Sequence, residues 1–278
     1  MEIGQQPMMQ SLETKIEPST NLLIKLGYNI IDLVLSDSTG IVIQYVQKEF
    51  SEKLSPEKLL KKLDLIINES VINISSVIGV KLIVLNKLST LVPRNLFDEN
   101  LSLDYLKFNS KLLKNDYAAY DLIEEIGAVN VFLPFVNVNN YLIEQFGSFN
   151  YYHYSTILIK KLLKYSTNKD TSVYVNIQLN DFQILIFKNK NLQYYNNFEF
   201  KEKEDILYFT LFVMEKNKID NIKTKLLLLG NINEESDTYL LLSKFIKNID
   251  IIKFQNLKKF KTKNIDNIYN IDYLIIWE

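Results

Sequence analysis

From residue 20 onward, apolar and polar positions alternate in two distinct rhythms. Leu22–Leu26, Ile30–Leu35 and Ile41–Val46 are short runs rich in branched apolar residues. Gly27-Tyr28-Asn29 and Ser36–Gly40 separate them, so they predict three strands joined by tight turns. In the third run both alternate sets, Ile41/Ile43/Tyr45 and Val42/Gln44/Val46, are largely apolar, which predicts cover on both faces. The rhythm then changes. Ser55-Pro56 is a cap followed by a helix-starting proline, and Leu59, Leu63, Ile66 and Ile67 recur at helical spacing towards Ser70. A strand at Val80–Leu85 follows, then a helix from Leu96 to about Leu113. A strand pair is expected at Tyr117–Leu122 and Val129–Leu133, then helices at Val138–Phe146, closed by Gly147, and at Ser155–Tyr165.

Beyond residue 170 the order restarts. Val173–Leu179, Phe182–Phe187 and Leu192–Phe198 predict three more strands, with Val173, Val175, Ile177 and Leu179 sharing one face of the first. An apolar helix at Asp205–Asn217, a strand at Lys225–Leu229 ended by Gly230, a helix at Thr238–Lys247 and late strands at Ile249–Phe254 and Tyr273–Trp277 complete the pattern. Strand-strand-strand-helix-strand thus occurs twice, from near residue 22 and from near residue 172. That layout is a ribonuclease H-like lobe, and two in tandem make an actin-like α/β fold in which each lobe carries a five-stranded mixed sheet flanked by helices. The expected division is a polar tail over 1–19, a first lobe over 20–168 and a second over 169–278.

The 278 residues are 47% hydrophobic and 23% charged, a globular composition. A net charge of −1 gives no overall pull towards nucleic acid or anionic lipid. Lys244, Lys247, Lys253, Lys258, Lys259, Lys261 and Lys263 crowd the C-terminal region. They read as a solvated face, with an RNA or membrane footprint as the alternative. There are no cysteines, which excludes disulfides, zinc-thiolate sites and cysteine nucleophiles and suits a cytoplasmic setting. The first residues show neither a basic nor an apolar signal region, and no apolar run approaches the roughly 20 residues of a membrane span. Of the seven glycines the nearest two are Gly27 and Gly40, so neither a Walker loop nor GxGxxG can form. His153 is the single histidine; it has no nucleophile-elbow partner and reads as structural. No metal site or cofactor is expected.

Residues 131–159, VFLPFVNVNNYLIEQFGSFNYYHYSTILI, carry a more specific signal, together with Leu91-Val92-Pro93, Leu96-Phe97-Asp98 and Lys203-Glu204-Asp205-Ile206-Leu207-Tyr208-Phe209. In this order they resemble an uncharacterised bacterial family, a domain of unknown function with an actin-like ATPase fold, over roughly residues 20–250. A more distant similarity is to actin-like proteins of pilus assembly.

The resemblance implies where a nucleotide would sit. Actin-like ATPases grip phosphates between two hairpins, one per lobe, with small residues at the turns and an acid beside each. Here the first turn, Lys25-Leu26-Gly27-Tyr28-Asn29, carries Lys25 at the position expected for aspartate. The second, from Asn176 to Asp181, carries Asn176 for the aspartate and Gln178 and Leu179 for the glycines. Asp32 and Asp181 remain as acids that could substitute in a shifted register, and Gly230 as the remnant of an adenosine-binding glycine pair. A nucleotide, if bound, would then use Gly27, Asp32, Asp181 and Gly230. The favoured expectation is a non-catalytic scaffold that binds another protein or itself. A nucleotide-binding or weakly hydrolysing protein is the first alternative, and an RNA-associated factor using the C-terminal lysines the second. In the run Phe149–Tyr154, Phe149, Tyr151, Tyr152 and Tyr154 are candidate partner contacts, because tyrosine is enriched at interfaces.

Overall fold

The computed structural model describes residues 19–70, 74–107, 112, 116–167 and 170–252. The first sheet begins with β1 (Thr20–Gly27), β2 (Ile30–Asp37) and β3 (Val42–Glu49), an antiparallel meander. Helix α1 (Pro56–Glu69) starts where the Ser55 side chain accepts from the Lys58 N–H and buries Leu59, Leu63, Ile66 and Ile67, the four positions its spacing selects. Strand β4 (Val77–Leu85) then runs parallel to β1.

An inserted unit follows: β5 (Ser89–Pro93), α2 (Ser102–Lys107), β6 (Ala119–Ile123) and β7 (Ala128–Phe132), forming a three-stranded sheet in the order β5-β7-β6. After α3 (Val136–Phe146), strand β8 (Asn150–His153) joins β4, completing the order β3-β2-β1-β4-β8. Helix α4 (Tyr154–Tyr165) leads to the second sheet. That sheet has β9 (Thr171–Ile177), β10 (Asp181–Lys188) and β11 (Asn191–Glu199), then α5 (Lys203–Lys216), β12 (Lys225–Gly230), α6 (Asp237–Phe245) and β13 (Ile249–Ile251). Its order is β11-β10-β9-β12-β13, the same topology as the first.

Because side chains alternate across each strand, every central strand serves two cores. Leu22, Ile24 and Leu26 of β1 pack outward with α1 and α3. Val173, Val175 and Ile177 of β9 pack outward with α5 and α6. The opposite faces meet each other. Val34 and Ile83 of the first sheet and Tyr174, Leu185, Phe187 and Leu229 of the second close on α4, whose Tyr154, Ile157, Leu158 and Leu162 are buried between them. Both lobes therefore share one apolar slab with a helix at its centre.

Three expectations need correction. The helix from Leu96 to Leu113 is instead two 3-10 turns, Arg94–Leu96 and Glu99–Leu101, followed by the short α2; residues 108–111 and 113 lie outside the described ones. Local hydrogen bonds win there: the Asp98 side chain caps Asn100 N–H, and the Tyr105 hydroxyl donates to Leu96 O while accepting from Asp98 N–H. Strand β3 is an edge strand, half-buried along most of its length rather than covered on both faces. Asn150–His153, read from sequence as part of an aromatic run, is a strand. The expected strand Tyr273–Trp277 and the lysines from Lys253 onward lie outside the described residues.

Candidate functional site

The two hairpins have the same internal geometry. Lys25 is the cross-strand partner of Asp32, two residues below the β1–β2 turn; Asn176 is the partner of Gln183 at the corresponding place between β9 and β10. The turns are anchored alike, Phe50 N–H donating to Asn29 O and Phe200 N–H to Asn180 O. Each pair points inward, because its neighbours on either side along the strand pack outward.

In the first lobe Lys25 Nζ lies 2.6 Å from Asp32 Oδ2, and both side chains are out of contact with solvent. In the second lobe Asn176 Nδ2 donates to Gln183 Oε1 at 2.6 Å, and Gln183 Nε2 donates to Asp181 Oδ1 at 3.0 Å. Tyr154, the first residue of α4, joins the two. Its ring lies 5.9 Å from the Lys25 ammonium, and its hydroxyl accepts from Asn176 Nδ2 and Gln178 Nε2, each at 3.1 Å. Gln178 also donates to Asn176 Oδ1 at 3.3 Å. The space between the hairpins thus holds a tyrosine, with a cation under its ring and two amides on its oxygen.

Tyr154 is placed by the chain just before it. His153 caps α4: its Nδ1 accepts from Ser155 N–H at 3.2 Å, and its Nε2 lies 3.1 Å from Asn86 O, which fixes the proton on Nε2. The His153 N–H donates to Asp121 Oδ2 at 2.8 Å, and Asn130 Nδ2 donates to Ser155 Oγ and Thr156 Oγ1. Burial lowers the imidazole pKa to about 4 and raises that of the Asp121 carboxyl to about 6. His153 is a buried capping residue, and its neutral ring fixes the start of the helix that presents Tyr154.

The remaining candidates group around this network. Gly27 ends β1 at the first turn, where a Cβ would come within 3.1 Å of Ile30 Cγ2 and 3.3 Å of Leu85. Gly230 ends β12 at φ +86°, and a Cβ there would stand 2.1 Å from Ile177 O and 2.8 Å from Asn176 Oδ1. The close approach at this glycine is therefore to the protein's own backbone. Leu179 is half-buried at the second turn. Burial raises the Asp181 pKa, against the opposing pull of Lys87. Lys87 and Lys53, from the first lobe, pair with Glu199 of the second at 2.6 and 3.2 Å. Those lysines hold the Glu199 carboxyl at a pKa of about 2.

Of the proposed partner contacts, Tyr154 is buried and so is withdrawn from any surface; Tyr151 and Tyr152 are half-buried on β8, and Phe149 is half-buried just before it. Tyr154 and Gln183 were not legible as members of the hairpin site. The one available signal is His153-Tyr154 standing immediately before a helical repeat.

Among solved structures, the chain is similar to a Bacteroides thetaiotaomicron protein with actin-like ATPase fold and unknown function. The two share 23% identity with a TM-score of 0.74, over 84% of this chain and 91% of that one. It is also similar to a chain of the PilM–PilN type IV pilus biogenesis complex, at 9% identity and a TM-score of 0.56, over 85% and 89% of the two chains. At these identities the likeness shows the fold. No curated protein matches the sequence. The profile of DUF3822, proteins of unknown function, matches residues 9–249, and the chain belongs to that family, with an actin-like ATPase fold.

Proposed function

We propose that this protein is a non-catalytic actin-like scaffold: the space in which related folds hold phosphates is filled from within, and the chain works by binding another protein. The observation that carries this is the position of Tyr154 between the two hairpins, bonded to Asn176 and Gln178 and lying over Lys25. Phosphate binding between such turns needs open backbone N–H groups and a carboxylate able to hold a cation. Here Asp32 is tied to Lys25, Asp181 accepts from Gln183, and the glycine at the end of β12 packs against Ile177. Inserting a triphosphate would require breaking this network and parting an apolar slab.

One observation supports protein binding. A similar fold is seen in a complex with a partner, PilM–PilN. No helix among the described residues is long and apolar enough to cross a membrane.

Thermal melting with and without Mg-ATP, alongside a phosphate-release assay, tests this. The proposal expects an unchanged melting temperature and release equal to the blank. A melting shift of several degrees that the Asp32→Asn/Asp181→Asn double variant abolishes would favour the nucleotide-binding alternative.

A further inference from the structure

Among the described residues, the inserted three-stranded sheet carries an exposed apolar strip. Burial alternates along β6: Ala119, Asp121 and Ile123 turn inward, while Tyr120 and Leu122 are 38% and 39% exposed. Helix α2 covers the neighbouring strand, where Val129 and Val131 pack with Leu106. As an outer strand of that sheet, β6 has its Tyr120 and Leu122 at the margin of this cover. Leu96, Leu101 and Tyr117 are still more exposed. Phe97 packs beside Tyr120, its ring 4.9 Å from that of Tyr120 and 5.9 Å from that of Tyr105. A single exposed leucine needs no explanation, but five large apolar side chains on one small unit mark an interaction surface.

The strip has an electrostatic border. Asp98, Glu99, Glu124 and Glu125 are all exposed in the turns next to it. The Glu99 carboxylate is near enough to Tyr120 to raise the pKa of its phenol. Among the described residues none of the four acids is in an ion pair, whereas the adjacent Lys107 is paired with Asp104. Arg94, Lys111 and Lys114 are the further bases of residues 94–125, which hold four bases against seven acids. Apolar contact bordered by exposed carboxylates, in a stretch where acids outnumber bases, is complementary to a segment in which Lys or Arg alternates with apolar side chains.

We propose that this face of the inserted sheet docks a basic, apolar-bearing segment of another protein. The proposal rests on the scaffold reading above and specifies where the partner binds and of what chemistry it is. To test it, the photo-crosslinking residue p-benzoylphenylalanine is placed at position 120 in the full chain, with position 208 on α5 as control, and the chain is expressed in its native host. Adducts are mapped to the partner peptide by mass spectrometry. The expected result is an adduct at position 120, and not at 208, on a protein segment bearing several Lys or Arg among apolar residues. Its yield should fall at least about fivefold in Glu99→Lys/Glu124→Lys/Glu125→Lys and in Leu122→Asp, both melting like the parent. No adduct above the control, or one with an acidic segment, a second copy of this chain, nucleic acid or lipid, would overturn the proposal. Nucleotide binding in the melting assay alongside the expected adduct would remove the scaffold reading and leave the docking surface standing.

Discussion

Lys25 and Asp32 face each other across the first hairpin with 2.6 Å between Nζ and Oδ2, in a place from which water is excluded. A buried pair of this kind is a poor source of stability but a strong constraint, because either partner alone is a stranded charge. Lys25→Met should therefore cost about 3–5 kcal/mol of unfolding free energy. Lys25→Met/Asp32→Leu should recover most of that loss. Urea denaturation of the three proteins measures both effects, and a double variant no better than the single one would show that the pair is held by more than mutual neutralisation.

The lobes are joined by an apolar slab and, at the surface, by Lys53 and Lys87 on Glu199. Glu199 is 61% exposed, so solvent screens these pairs. Glu199→Gln should change stability by less than about 1 kcal/mol. Leu158 is fully buried at the centre of the slab, and Leu158→Ala should cost about 2–5 kcal/mol. Comparable losses in the two variants would contradict this division of labour.

His153 and Asp121 titrate in the same window with opposite consequences. The imidazole pKa is lowered by burial to about 4, so His153 contributes stability above its unfolded value, near 6.5, and loses it as pH falls towards 4. The Asp121 carboxyl is raised by burial to about 6, so its contribution is complete below its unfolded value and is lost as pH rises through 6. Between pH 4 and 6 the two slopes oppose, and stability should change little. Asp121→Asn should expose the histidine slope, stability falling on acidification. His153→Gln should expose the other, stability rising. Chemical denaturation at pH 4, 5 and 6 reads the signs directly.

The six hairpin strands are legible in sequence because their apolar runs are bounded by Gly, Asn and Asp turns, and because the pattern occurs twice. Strand β8 is not: four residues, Asn-Tyr-Tyr-His, are too short to show alternation, and their pairing with β4 is a long-range fact. The same applies to Tyr154. Sequence marks it as one aromatic among several, and only the enclosure of α4 by both sheets decides that it is buried. The departures at Lys25, Asn176, Gln178 and Leu179 can be read position by position against the actin-like pattern. Their mutual satisfaction through one phenol cannot, since it depends on two hairpins some 150 residues apart in sequence meeting on a third element. The segment from Leu96 misleads because its apolar spacing suits a helix, while Asp98 and Tyr105 fix the backbone in turns.

Whether the space between the hairpins is closed to nucleotide is measured most directly by a crystal structure of the protein soaked with magnesium and a non-hydrolysable ATP analogue. The expected result is Tyr154 unmoved, still accepting from Asn176 and Gln178, and no nucleotide between the hairpins. Ordered nucleotide density between the turns at Tyr28 and Gln178, with Tyr154 displaced and a cation coordinated beside the phosphates, would contradict it.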